Sequence, residues 1–125
     1  MQREIINLAD GLNLPFSSAV KAGGFIFVSG QVGHIDAEGK PVAGIESQTR
    51  QCLQKMIRVL DQAGAGTRDV VKVTVYLRNE EDFAGMNRVY AGYFPQEAPA
   101  RSTAIAGLAL PPMLVEMDCI AYKPL

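Results

Sequence analysis

The sequence predicts an α+β fold: a mixed sheet with two helices on one face, in the order β-β-β-α-β-α-β-β. Three observations carry this prediction. Two segments, about Gly44–Ala63 and Asn79–Phe94, repeat apolar residues at helical spacing. Runs of β-prone residues flank each of them. The pair Gly23-Gly24 joins two such runs, which is a hairpin signal. Each helix bridges strands, so both can cover the same apolar sheet face.

The elements follow in order. Arg3–Asn7 reads as a short strand around Ile5 and Ile6. Phe16–Ala22 and Phe25–Gln31 form the hairpin, with Phe25, Phe27 and Ser29 on one face and Ile26 and Val28 on the other. Gly33–Gly44 mixes glycine, proline and charge without a period and reads as a loop that could hold a short strand near Lys40–Val42. The first helix should bury Ile45, Thr49, Cys52, Leu53, Met56, Val59, Leu60 and Ala63 as one stripe. Gln48, Arg50, Gln51, Gln54, Lys55 and Arg58 should cover its remaining surface. Gly64-Ala65-Gly66 supplies the stop, because glycine enters the left-handed conformation without a Cβ clash.

Val70–Arg78 is the cleanest strand, with Val71, Val73, Val75 and Leu77 on one face and Lys72, Thr74, Tyr76 and Arg78 on the other. Asn79 caps a second helix whose acidic first turn, Glu80-Glu81-Asp82, complements the helix dipole. Phe83, Met86, Val89, Tyr90 and Tyr93 or Phe94 should face inward, and Pro95 stops the helix. Strands near Ala100–Ala106 and Leu114–Lys123 close the chain. The link Leu108–Pro112 contains Pro111-Pro112, which cannot sit inside a paired central strand.

Composition narrows the function classes. The 125 residues are 48% hydrophobic and 20% charged, with a formal net charge of −1. That length sets the expectation of one domain over residues 1–125, able to bury roughly two-thirds of its unfolded surface without disulfides or a structural metal. Near-neutral charge leaves no cationic footprint for nucleic acid or anionic membrane. No apolar run reaches the ~18 residues that span a bilayer. Met1 to Asp10 has no apolar h-region, so no signal peptide is expected and the cytoplasm is the default compartment. Cys52 and Cys119 sit in apolar patterns and read as buried free thiols, while a lone histidine, His34, cannot complete a zinc site with them.

Arg101 and Glu116 stand out because, with both helices on one side, the alternation of the last two strands is read as placing them on the other. That second face would carry Phe25, Phe27, Ser29, Tyr76, Arg101, Thr103, Glu116 and Ile120, too aromatic for a wet surface and too polar for a core. Such a mixture suits an oligomer interface with pockets in it. A guanidinium fork matches a carboxylate bidentately, so Arg101 could clamp a small acid, and Glu116 could orient or deprotonate a water. The same two residues also fit a plain cross-strand ion pair. Ser29-Gly30-Gln31 could expose backbone N–H groups to a ligand, or mark only a bulge or strand end. Asn87 is either a solvated helix residue or a polar group aimed at a pocket. No serine or cysteine has a histidine beside it in the pattern, so triad chemistry is not expected.

Three motifs, taken together, resemble the RidA (YjgF) family: Pro15-Phe16-Ser17-Ser18-Ala19-Val20 with Phe27-Val28-Ser29-Gly30-Gln31; Met86-Asn87-Arg88-Val89-Tyr90 with Tyr93-Phe94-Pro95; and Ala98-Pro99-Ala100-Arg101-Ser102-Thr103 followed by Leu114-Val115-Glu116-Met117. The resemblance spans essentially the whole chain. It implies a chorismate-mutase-like α+β fold assembled as a homotrimer with ligand pockets between subunits. It also implies cofactor-free, metal-free hydrolysis of reactive enamines and imines, such as 2-aminoacrylate, to 2-keto acids and ammonia, as by a 2-iminobutanoate/2-iminopropanoate deaminase. By the same resemblance Arg101 binds the substrate carboxylate and Glu116 positions the attacking water, while Phe16, Ser29, Gly30, Asn87 and Thr103 line the pocket. Phe16, Ser17 and Ser18 stand where the family's deaminases have tyrosine, serine and glutamine, so the ring is kept and its hydroxyl lost. Thr103 stands where many members have cysteine. A second reading is a non-catalytic, small-carboxylate-binding or regulatory trimer, which the missing phenol favours.

Overall fold

A computed structural model describes residues 2–8 and 14–124. Of the stretch Met1 to Asp10 read for a leader, Met1, Ala9 and Asp10 lie outside the described residues. The elements are β1 (Glu4–Ile6), β2 (Ala19–Ala22), β3 (Phe25–Val32), α1 (Ile45–Gln62), β4 (Val70–Leu77), α2 (Phe83–Tyr93), β5 (Ala100–Ile105) and β6 (Val115–Tyr122). Their order is the one read from the pattern. Short 3-10 turns at Thr67–Asp69 and Glu80–Asp82 lead into β4 and α2. The six strands form one sheet in the order β1-β2-β3-β6-β4-β5, in which only the β4–β5 pair is parallel. The sheet is therefore mixed, and α2 is the crossover that a parallel pair requires.

Both helices cover one sheet face. Cys52, Leu53, Met56, Val59 and Leu60 of α1 and Met86, Val89 and Tyr90 of α2 share one core with Ile26, Val28, Val73, Val75, Leu77, Val115, Met117, Cys119 and Ala121. The helices meet where Gly85 lies against Ile45, with no room for a Cβ at that glycine. Helix α1 ends as its glycine predicts. Gly64 takes φ 85°, its N–H donates to Asp61 O, and Ala65 N–H donates to Leu60 O, the paired bonds of a Schellman cap. Among the described residues no helix is long and apolar enough to cross a membrane.

Several expected details differ. The β2 strand begins at Ala19, because Phe16–Ser18 turns before pairing starts. The strand considered near Lys40–Val42 is a single bridge between Ile35 and Pro41. A bulge in β4 between Val70 and Lys72 puts Val70 in the core and leaves Val71 47% exposed. Phe83, expected inward, is 46% exposed at the rim of α2.

Gln48, expected on the surface of α1, is buried. Its amide donates to Val42 O and Pro112 O, each at 2.9 Å, and its Oε1 accepts from Leu114 N at 2.9 Å. Two irregular segments thus satisfy three backbone groups on one side chain, which helical period alone cannot foresee. Gln48→Ala strands those partners, and the cost of leaving buried groups unpaired predicts a loss of about 2–4 kcal/mol. Urea unfolding monitored by circular dichroism checks it; a midpoint equal to wild type would contradict the prediction.

Candidate functional site

The parallel ladder places Arg101. Val73 aligns with Arg101, Val75 with Thr103 and Leu77 with Ile105. Paired residues on neighbouring strands point to the same side, and Val73, Val75 and Leu77 are buried under the helices. Arg101 and Thr103 therefore lie on the helix face and not, as the alternation was read, on the opposite one. The physical reason is that β5 is an edge strand. At the rim its arginine can lay its stem over α2 while the head stays half-buried.

There the guanidinium carbon sits 4.7 Å from the Tyr90 ring centroid and 5.8 Å from that of Phe83, and Nη1 lies 3.9 Å from Met86 Sδ. Arg101 makes no ion pair among the described residues, so the cross-strand pair with Glu116 does not form within one chain. Asn87, half-buried, follows Met86 on the same helix. By period Phe83, Met86 and Tyr90 are inward-facing residues. Their role around Arg101 shows only when the β5 register is known.

Glu116 lies on the other face, as expected. It is paired with Tyr76 of β4 and with Val32 of β3. The bulge at Ser29-Gly30, between Val28 and Gln31, brings Gly30 directly beneath its carboxylate, so that a Cβ there would collide with Glu116 Oε2. Glycine at this position is what lets the carboxylate approach the backbone. The segment carrying Phe16 is tied to the same bulge. Ser29 Oγ donates to Ser17 O at 2.6 Å, and Ser29 N donates to Ser18 O at 3.0 Å. Ser18 Oγ accepts from Leu8 N at 3.2 Å. That hydroxyl oxygen is engaged with the β1 end.

The structure thus forms two clusters. Ser29, Gly30 and Glu116 gather at the bulge, to which the segment carrying Phe16 is tied; Arg101 and Thr103 line the opposite face beside α2, where Asn87 also lies. A groove of about 490 Å³ between α1 and the 36–38 loop is lined by none of them. Burial holds the Glu116 carboxyl above the usual carboxylate range, and Asp118 on the same face adds to this. Asp118 is itself raised by burial, against the pull of Lys72 and a hydrogen bond from Thr74. Both cysteines are free and buried, and burial pushes their thiols up to about 12, which keeps them protonated and unreactive. Among the described residues no three His, Cys, Asp or Glu side chains gather as metal ligands.

A family model described as Endoribonuclease L-PSP matches residues 11–123. The chain is 44% identical over 110 residues to a RutC family protein of Pyrococcus horikoshii, covering 87% of each. It is 43% identical over 109 residues to Reactive Intermediate Deaminase A, chloroplastic, of Arabidopsis thaliana, covering 86% of this chain and 58% of that protein. Among solved structures it matches YyfA of Yersinia pestis, described as a member of the conserved Rid protein family, with a TM-score of 0.87 and 34% identity over 97% of this chain and 99% of that one.

The raised proton affinity of Glu116 has a testable sign. An acid that binds its proton more tightly when folded adds stability below the unfolded pKa, about 4.3 for glutamate. That contribution is lost as pH rises through the folded-state value. Glu116→Gln, neutral throughout, should therefore unfold at a higher temperature than wild type at pH 7. The gap should close below about pH 4, where the glutamate is also neutral. Thermal unfolding at both pH values decides it, and no gap at pH 7 would contradict the burial cost assigned to the carboxylate.

Proposed function

The chain belongs to the RidA (YjgF) family, and from that membership and the geometry above we propose that it hydrolyses reactive 2-imino acids and their enamine tautomers, such as 2-aminoacrylate. The products are 2-keto acids and ammonia, formed in pockets shared between copies of a homotrimer. The observation that carries this reading is Arg101: a half-buried guanidinium on an aromatic and sulfur surface, paired with no carboxylate among the described residues. A cation so placed is suited to a small carboxylate from outside the chain.

The sidedness supports sharing between copies. Arg101 and Glu116 occupy opposite faces of one sheet, so one substrate reaches both only when they come from different chains. The open face supports such an assembly. Phe25, Phe27 and Tyr122 are 42%, 44% and 45% exposed, with the Phe25 ring tilted against that of Tyr122 at 4.9 Å between centroids, a surface that a second copy would remove from water.

In the proposed step Arg101 and Thr103 of one copy hold the carboxylate end, with Asn87 beside them. Glu116 of the next copy accepts a proton from a water that adds to the imine carbon. The nitrogen of the tetrahedral adduct takes up the proton that Glu116 holds and, as the C–N bond breaks, a second from the new hydroxyl group, so that ammonia leaves and the carbon keeps the water oxygen as a keto group. The raised proton affinity of Glu116 suits a group that must take and return a proton. Gly30 leaves space for that carboxylate, while Ser29 and Phe16 line the same end. The uncatalysed hydrolysis is facile, so positioning and modest electrostatic help suffice.

One observation favours a second reading, a carboxylate-binding or regulatory trimer without turnover: Phe16 has no hydroxyl. An amino-acid oxidase coupled to the purified protein separates the two by following loss of the imino acid. Accelerated loss supports the enzyme, whereas calorimetric binding of 2-keto acids with unaltered imine decay supports the binding module. Arg101→Ala and Glu116→Gln should each abolish most turnover. Co-assembled in equal amounts they should regain activity, because about one quarter of the interfaces then carry both intact groups. Full activity in Arg101→Ala, or no recovery on mixing two folded variants, would count against the shared pocket.

A further inference from the structure

We propose that Tyr90 is a positioning residue for Arg101: its ring, backed by Phe94, fixes the plane of the guanidinium and so sets the pose in which a planar carboxylate is accepted. The proposal rests on the carboxylate-binding reading above and assigns a role to a residue that otherwise counts as core. Three observations carry it. The guanidinium lies over the Tyr90 ring at 4.7 Å, close enough for a cation–π contact. Phe94 packs on that ring with centroids 4.8 Å apart, so the platform is held from within the core. The other contacts to the head, Met86 Sδ and the Phe83 ring, come from the same helix, four and seven residues before Tyr90 along one side.

An arginine is usually oriented by a carboxylate, which also neutralises it. Here the orienting surface is aromatic and thioether, so the fork is held while its charge and most of its donors are left for a ligand. The phenol hydroxyl is not what the contact uses. Tyr90 Oη is buried without a hydrogen-bond partner among the described residues, so Tyr90→Phe removes no bond there and keeps the ring face. Tyr90→Leu keeps an apolar side chain and removes the face.

The test reads the arginine directly and the ligand separately. Arginine Nε–H NMR on isotope-labelled protein, with Arg101→Lys assigning the signal, should show an Arg101 resonance shifted upfield by the ring in wild type and Tyr90→Phe. In folded Tyr90→Leu it should move to the position of an exposed arginine. Affinity for 2-oxobutanoate, measured by calorimetry, should fall about tenfold in Tyr90→Leu and stay within about twofold in Tyr90→Phe. In the imine assay the loss should appear in KM more than in kcat, as expected for a binding group. If Tyr90→Leu does not fold, Phe83→Leu at the exposed rim should produce the same changes at smaller size. An unmoved Arg101 signal in a folded ring-less variant overturns the proposal, as does a moved signal with unchanged 2-oxobutanoate affinity. Wild type that binds no 2-oxobutanoate defeats the functional reading instead, and the arginine signal alone then decides whether Tyr90 holds Arg101.

Discussion

The parallel pairing of β4 with β5 is the constraint on which the functional geometry depends. It is the one parallel ladder in the sheet, and α2 is the connection that makes it possible. By aligning Arg101 with Val73 it commits the arginine to the face that the helices cover, and by making β5 an edge it keeps that face from swallowing the charge. A guanidinium in the middle of the same face would be buried without a partner at large cost. At the rim it meets the side of α2 and stays half-exposed.

The opposite face is organised by a defect in pairing. The bulge at Ser29-Gly30 interrupts the β3–β6 ladder where Glu116 needs space, and the glycine leaves that space open. The bulged strand also collects the turn that carries Phe16, through the Ser29 hydrogen bonds. Around these groups the face is apolar and aromatic toward Phe25, Phe27 and Tyr122 and acidic toward Glu116 and Asp118. A surface of that kind is costly to leave in water and too polar to form a core. A like copy that brings a cation is the simplest complement.

Much of this was legible in the residues. The stripe Thr49, Cys52, Leu53, Met56, Val59 and Leu60 reads as a helix face because burial follows a period close to 3.6, and the β6 alternation separates Val115, Met117, Cys119 and Ala121 from Glu116 and Asp118 without ambiguity. The errors fall where the local pattern is weak or broken. Val71 misleads because the bulge beside it changes the phase of the strand. Gln48 misleads because a polar side chain on a helix flank is normally wet. In β5 both alternating sets, Arg101-Thr103-Ile105 and Ser102-Ala104-Ala106, are plausible for either side, so period alone cannot choose.

The sequence by itself determined the element order, the two helical stripes, the glycine stop of α1 and the identity of the charged residues worth following, because these depend on neighbours within a few positions along the chain. Only the tertiary structure decided which side of the sheet holds Arg101, which side chains surround it, and that Gly30 lies beneath Glu116. Those facts depend on strand register, and register is set by contacts between segments far apart in sequence. The ladder that places Arg101 joins strands separated by a whole helix, and its phase is chosen by the burial of Val73, Val75 and Leu77.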